Sequence, residues 1–147
     1  MAMEATTVRK AERDDVVHLA ALLDQLGYTV DSPELRKRFE AVLGAAEHCV
    51  LVAQCEDCIV GVLHAFRRPS LEKGDEAVIQ SLVVDSSQRG RGVGHALMNE
   101  AERWARSRGL SSVALYTRID RNDAHAFYER IGYRLRATSH LMGRELA

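Results

Sequence analysis

One segment constrains this chain more than any other: Val83-Val84-Asp85-Ser86-Ser87-Gln88-Arg89-Gly90-Arg91-Gly92-Val93-Gly94-His95. An apolar strand pattern, Ala77 to Val84, runs into a turn with a glycine at every second position. The turn then opens a helical pattern from about Gly92 to Arg108. Its apolar face is Val93, Ala96, Leu97, Ala101, Trp104 and Ala105. Glycines let a backbone take positive φ and approach a ligand closely. The first N–H groups of a helix have no intrahelical partner, and with the helix dipole they make an anion site. Arg89 and Arg91 add charge, so the natural ligand is a phosphate or pyrophosphate. A P-loop needs Lys-Ser or Lys-Thr after the last glycine, whereas His95-Ala96 stands here. A dinucleotide fingerprint starting at Gly90-x-Gly92 would need its third glycine at His95 and fails too. An RGG-type RNA segment would be repeated and disordered, and this one is single and lies between regular elements. A plain tight turn requires neither three glycines nor two arginines.

The remaining composition narrows the class. A chain of 147 residues fits one domain, taken as 1–147. At this length a chain buries roughly 68–70% of its unfolded surface and needs no disulfide or metal to fold. Lys plus Arg is 20 and Asp plus Glu is 21. That balance offers no field for nucleic acid or an anionic membrane. No apolar run reaches membrane-span length, and Met1 to Lys10 lacks the apolar centre of a signal peptide. Three cysteines, an odd number, complete the expectation of a reduced, cytoplasmic protein without a metal.

Patterning along the chain mixes hairpins and crossovers. Thr6 to Arg9 reads as a strand. A helix follows with Asp14 or Asp15 near its start and Gly27 at its end. Ser32-Pro33 reads as N-cap and first position of a second helix, which stops at Gly44. Cys49–Ala53 and Ile59–Phe66 form a hairpin pattern, and 67–74 reads as a polar loop. Ser112–Thr117 reads as a strand and Asp123–Ile131 as a helix. Tyr133–Arg136 and His140–Leu146 read as final strands. The sum is an α/β fold: a mixed, mostly antiparallel sheet of six to seven strands with about four helices.

The turn Arg89-Gly90-Arg91-Gly92-Val93-Gly94, preceded by Leu82-Val83-Val84-Asp85, resembles the Arg/Gln-x-x-Gly-x-Gly/Ala motif of the GCN5-related N-acetyltransferases (GNAT). A second block, Ala124-His125-Ala126-Phe127-Tyr128-Glu129-Arg130-Ile131-Gly132-Tyr133, resembles that family's Ala-x-x-Phe-Tyr-x-x-x-Gly-Phe/Tyr. The resemblance implies that acetyl-CoA is the cosubstrate. It implies that the backbone of Leu82, Val83 and Val84 pairs with the pantetheine arm like an added strand. It also implies that Gln88 and the amides of Arg89, Gly90, Arg91, Gly92, Val93, Gly94 and His95 hold the pyrophosphate, with Ala124 and Phe127 beside the cofactor. Tyr128 matches the family's usual general acid, which protonates the departing thiolate; on spacing it could equally be a core aromatic. Many members carry Asn three residues before this alanine. Here that position is Arg121, and Asn122 stands one place late. Arg121–Tyr128 also resembles Arg-x-Asp-Ala-His-x-Phe-Tyr, familiar from small-molecule acetyltransferases such as the aminoalkylphosphonate enzymes.

The chemistry makes sense of these residues independently. An amine with a pKa near about 10 is mostly protonated at neutral pH, so its proton must be taken before it attacks a thioester. Many relatives place a glutamate on the strand before the turn. This chain has Gln80-Ser81, and Gln80 cannot accept a proton. Glu76, or a water held by Ser81 or a carbonyl, are the options. No cysteine lies near the motif, which favours direct attack in a ternary complex. Two acidic residues, Asp24 and Asp31, flank the Gly27 break, and both read as helix ends or caps. Tyr28 reads as the wall of an acceptor pocket, and Gln80 as a second acceptor contact. A small-molecule primary amine is the expected acceptor. A protein N-terminus or lysine, a catalytically silent CoA-binding module and a nucleotide-binding domain are the rivals, and a homodimer is left open. Cys55-Glu56-Asp57-Cys58 sits at a hairpin turn instead of opening a helix, and reads as a turn flanked by two small apolar residues. His18, His64 and His140 read as surface or packing residues.

Overall fold

The computed structural model describes residues 5–147; the start of the leader reading, Met1–Glu4, lies outside the described residues. The chain divides into two compact units, one ending at Tyr116 and one beginning at Thr117.

The first unit is a five-stranded sheet in sequence order: β1 (Thr6–Lys10), β2 (His48–Cys55), β3 (Cys58–Ser70), β4 (Gly74–Val84) and β5 (Val113–Leu115). The first three pairings are antiparallel and β4–β5 is parallel. Helix α1 (Val16–Leu26) follows a 3₁₀ turn at Arg13–Asp15, α2 (Ser32–Leu43) follows it, and α3 (Val93–Ser107) links β4 to β5. The alternate residues Val50 and Val52 on β2 join Val62 on β3 and Val83 on β4. They bury against Val16, Leu19 and Leu22 of α1 and Leu35 and Phe39 of α2. Strand residues of the opposite parity face α3. A Cβ on Gly61 would meet Leu97 Cδ1 at 3.0 Å and Val93 Cγ1 at 3.4 Å, so only glycine lets α3 lie this close to β3. Burial on both faces explains why β2 reads as one continuous apolar run.

Polar groups fix the ends of these elements. Asp15 is buried, and both Arg9 Nη atoms donate to its carboxylate at 2.8 and 2.9 Å while the Glu12 amide donates at 2.7 Å. That hydrogen-bonded pairing with Arg9 holds the Asp15 carboxyl below its usual range. The N-cap of α2 is Asp31, whose Oδ1 accepts from the Glu34 amide at 3.0 Å, and not Ser32 as the Ser-Pro pattern suggested. The polar stretch 67–74 is mostly strand. Arg67 and Asp75, diagonal neighbours across the hairpin, form an ion pair at 2.5 Å, so charge pairing across a hairpin produced the loop-like composition.

The second unit holds α4 (Asn122–Arg130). The strands expected at Tyr133–Arg136 and His140–Leu146 are not formed, so the sheet has five strands instead of six to seven. Alternation makes a strand only where an edge offers a hydrogen-bonding partner. Neither segment joins the sheet as a strand among the described residues, and Leu135, Leu141, Met142 and Leu146 are exposed. No helix among the described residues is long and apolar enough to cross a membrane.

Candidate active site

Strand β4 is interrupted at the position that matters. His64 of β3 faces Ser81, but the next residue, Ala65, faces Ile79, which leaves Gln80 as an extra residue. Such a bulge bends a strand and re-aims its side chains. The exposed Gln80 is therefore turned by the backbone, a feature with no signature in the sequence. On its other side β4 pairs with β5 only as far as Ile79 opposite Leu115. Beyond that point, among the described residues, no strand pairs with the β5 side of Gln80–Val84. The pairing stops there, and β4 presents on this side a strand edge, Ser81, Leu82, Val83 and Val84, that no strand covers among the described residues. Val83 is buried; Leu82 and Val84 are half-buried.

That edge leads straight into the glycine turn. The Asp85 amide donates to Val60 O at 2.8 Å, and the Asp85 carboxylate accepts from the Ser87 amide at 3.1 Å and from the Ser87 hydroxyl. A clasp from α1 closes over the same residue: Gln25 Nε2 donates to Asp85 Oδ1 at 2.7 Å, and the Ser86 amide donates to Gln25 Oε1 at 3.0 Å. Bonds from Ser87 and then Gln25 hold the Asp85 carboxyl below its usual range. Sequence reasoning missed Gln25, because nothing local marks a residue whose partner is sixty positions away. Further on, Arg89 Nε donates to Val84 O at 3.1 Å, so this arginine also braces the turn. Gly90 and Gly92 have φ of 78° and 82°, and Gly92 is the N-cap of α3 without any side-chain cap. Nothing lies within 4 Å of where a Cβ would stand on either. The amides of Val93, Gly94 and His95 begin α3. The result is an uncapped helix N-terminus behind an open glycine cradle, which fits an anion such as pyrophosphate.

At the other end of the β4–β5 pairing, just before Ala77, Glu76 is buried. Its Oε1 accepts from Arg68 Nη2 at 3.0 Å and its Oε2 from Ser112 Oγ at 3.1 Å. Arg68 reaches on to the Tyr116 hydroxyl at 2.9 Å, with its guanidinium 5.8 Å from the ring centre. Sequence reading missed Arg68 and Tyr116 because 67–74 looked like a loop. Tyr28 is exposed directly after Gly27, and its amide donates to Leu23 O at 2.9 Å. Asp24 accepts from the Thr29 hydroxyl at 2.7 Å and Asp31 caps α2, so both acids serve the local backbone frame.

In the second unit, α4 carries Ala124, Phe127 and Tyr128, all half-buried. The Tyr128 ring meets Phe127 edge-on at 5.1 Å and Tyr133 at 6.0 Å. Burial pushes the Tyr128 hydroxyl up to about 12, with Arg121 pulling the other way. Tyr128 thus keeps its proton throughout the physiological range. Asn122 is the exposed first residue of α4, and His125 Nε2 donates to Arg118 O at 3.0 Å. Among the described residues, no group of three or more His, Cys, Asp or Glu is placed to hold a metal ion.

Comparison with known proteins gives the family and the fold. The family described as "Acetyltransferase (GNAT) family" matches residues 15–133. An uncharacterized N-acetyltransferase, YhdJ, of Bacillus subtilis (strain 168) is 29% identical over 113 residues, 76% of this chain and 80% of that one. Aminoglycoside N(6')-acetyltransferase type 1 of Stenotrophomonas maltophilia is 28% identical over 138 residues, 90% of this chain and 89% of that one. The solved structure of the aminoglycoside N-acetyltransferase AAC(6')-Iy in complex with CoA superposes with a TM-score of 0.90. It has 17% identity, with 99% of this chain and 98% of that one covered.

Proposed function

We propose, from the premise that the chain belongs to the acetyltransferase (GNAT) family and is an N-acetyltransferase, that it transfers acetyl from acetyl-CoA to a primary amine of a small molecule. The single observation that carries this reading is the open β4 edge of Ser81–Val84 leading into the glycine cradle at Gly90 and Gly92. An extended amide chain adds to such an edge as a strand would. A pyrophosphate suits the N–H groups that open α3.

The residues then divide the work. Backbone groups of Leu82, Val83 and Val84 hold the pantetheine arm, and Gln88 to His95 hold the pyrophosphate. A strand N–H near Leu82 faces the carbonyl oxygen as it gains negative charge. Tyr128, which keeps its proton far above neutral pH, donates it to the leaving thiolate. Glu76 is buried and bonded to Arg68 and Ser112, which fits an anchor for Arg68 better than a base in contact with the acceptor. The amine proton therefore leaves through water held by Ser81 or a backbone carbonyl. Attack is direct, with both substrates bound. The small-amine class is supported by the aminoglycoside relative and by a net charge of −1, which attracts no polyanion.

The test is thiol release from acetyl-CoA by the purified chain, with small amines, aminoglycosides and peptides bearing an N-terminus or lysine. Turnover with small amines is expected, together with a rise in melting temperature on adding CoA. Turnover with peptides only would overturn the acceptor class. CoA binding without turnover on any amine would make the chain a binding module.

A further inference from the structure

The hairpin between β2 and β3 places two thiols face to face. β2 ends at Cys55, β3 begins at Cys58, and only Glu56 and Asp57 connect them, with Glu56 at a φ of 55°. The strand register sets Cys55 directly opposite Cys58. Residues opposite each other in an antiparallel pair share a face, with Cα atoms about 4.5–5.5 Å apart. A disulfide requires a Cα separation of roughly 4.4–6.8 Å, and the spacing of directly opposed strand residues falls within it. The two thiols differ in access: Cys58 is exposed and Cys55 is buried. The third cysteine, Cys49, is buried, and burial pushes its thiol up to about 11, which makes it inert.

We infer that Cys55 and Cys58 form a reversible cross-strand dithiol–disulfide couple, a redox modification site separate from acyl transfer. The exposed Cys58 thiolate attacks one sulfur of a small organic disulfide and expels a thiolate. The resulting mixed disulfide is resolved by the Cys55 thiolate, which attacks Cys58 Sγ and expels the second thiolate. The protein dithiol loses two electrons and two protons, and the organic disulfide leaves as two thiols. The acidic turn, Glu56 and Asp57, repels anionic oxidants, so an uncharged disulfide is the better partner. Without the register, C-x-x-C outside a helix start carried no such implication.

The experiment treats the full chain with hydroxyethyl disulfide, then denatures it in acid, alkylates with N-ethylmaleimide and measures intact mass. The reduced chain takes up three alkyl groups, one per cysteine. The oxidised chain is expected to take up one, remain monomeric without reductant, and return to three after dithiothreitol. Peptide mapping of the wild-type chain should find Cys55 joined to Cys58 and Cys49 alkylated. Cys55→Ser should stop at a stable hydroxyethyl adduct on Cys58. Retention of three alkylation sites, a persistent wild-type adduct on Cys58, a bridge to Cys49 or a cross-linked dimer would each overturn the inference. None of these readouts depends on acetyl transfer, so they fail or succeed separately from the proposed function.

Discussion

Helices α3 and α4 carry the two motifs, and they are held by opposite means. α3 sinks Val93, Leu97, Met98, Ala101, Trp104 and Ala105 into the first unit, whereas α4 has no fully buried residue. Fully burying one large apolar side chain contributes about 1.5–3 kcal/mol, so the helix behind the glycine turn is strongly fixed. Under the proposed function the two helices present different groups. A pyrophosphate cradle consists of backbone N–H groups, and these are placed only as well as the whole helix is placed. Under the proposed function the general acid is one hydroxyl, and Tyr128 meets the rings of Phe127 and Tyr133 edge-on. Damage to the first site should therefore appear in binding, and damage to the second in rate.

Gly92→Asp is the largest expected break. It forces a side chain onto a φ of 82° and puts negative charge in the cradle, and we expect CoA affinity to fall by at least about 100-fold. Titration calorimetry showing unchanged affinity would remove the turn from the site. Tyr128→Phe should lower kcat by about 10²-fold while leaving acetyl-CoA affinity alone, since general acid catalysis is typically worth 10²–10⁴. A kcat within about twofold of wild type would reduce Tyr128 to a packing residue.

A pH titration sharpens the contrast by locating stability in the first unit. His64 Nε2 lies 2.8 Å from His48 Nδ1, and the two rings stack, with Phe66 beside them. Burial, and then the neighbouring His48, push the His64 imidazole down to about 4. Below its ordinary value the unfolded chain binds the proton that the folded chain refuses. Stability should be intact above about pH 6.5 and fall by about 1–3 kcal/mol as the pH drops toward 4, a window set by the folded and ordinary values. Denaturant melts of His64→Phe should show a flatter dependence across that window; an unchanged slope would assign it to other groups. The smallest effect concerns the acceptor. Tyr28→Ala should raise the acceptor KM a few-fold and spare acetyl-CoA binding, and steady-state kinetics with unchanged KM would place the acceptor elsewhere.

What the sequence revealed was local, and what it concealed was pairing at a distance. The turn, the long helix and α4 were readable because glycine spacing and apolar periodicity act within one element. β1 and the β2–β3 hairpin were readable for the same reason. Asp31 displaced Ser32 as a cap because both residue types cap, and geometry alone chooses between them. The Arg67–Asp75 pair disguised a strand as a loop. The Gln80 bulge, the Gln25 clasp and the Arg68–Glu76–Tyr116 chain each depend on register across strands or on contacts from remote segments. The final strands failed for the converse reason, since alternation was present and no strand pairing formed on it among the described residues.

The open edge of β4 has a practical meaning for anyone who handles this protein. Ser-Leu-Val-Val with one side that no strand covers among the described residues is what neighbouring molecules use to build intermolecular sheet. A cosubstrate lying along that edge would mask it. At a concentration of about 100 times its Kd, such a ligand also stabilises the native state by about 2.7 kcal/mol. Purification and storage with CoA present should therefore suppress precipitation by shielding a sticky strand as well as by raising the melting temperature.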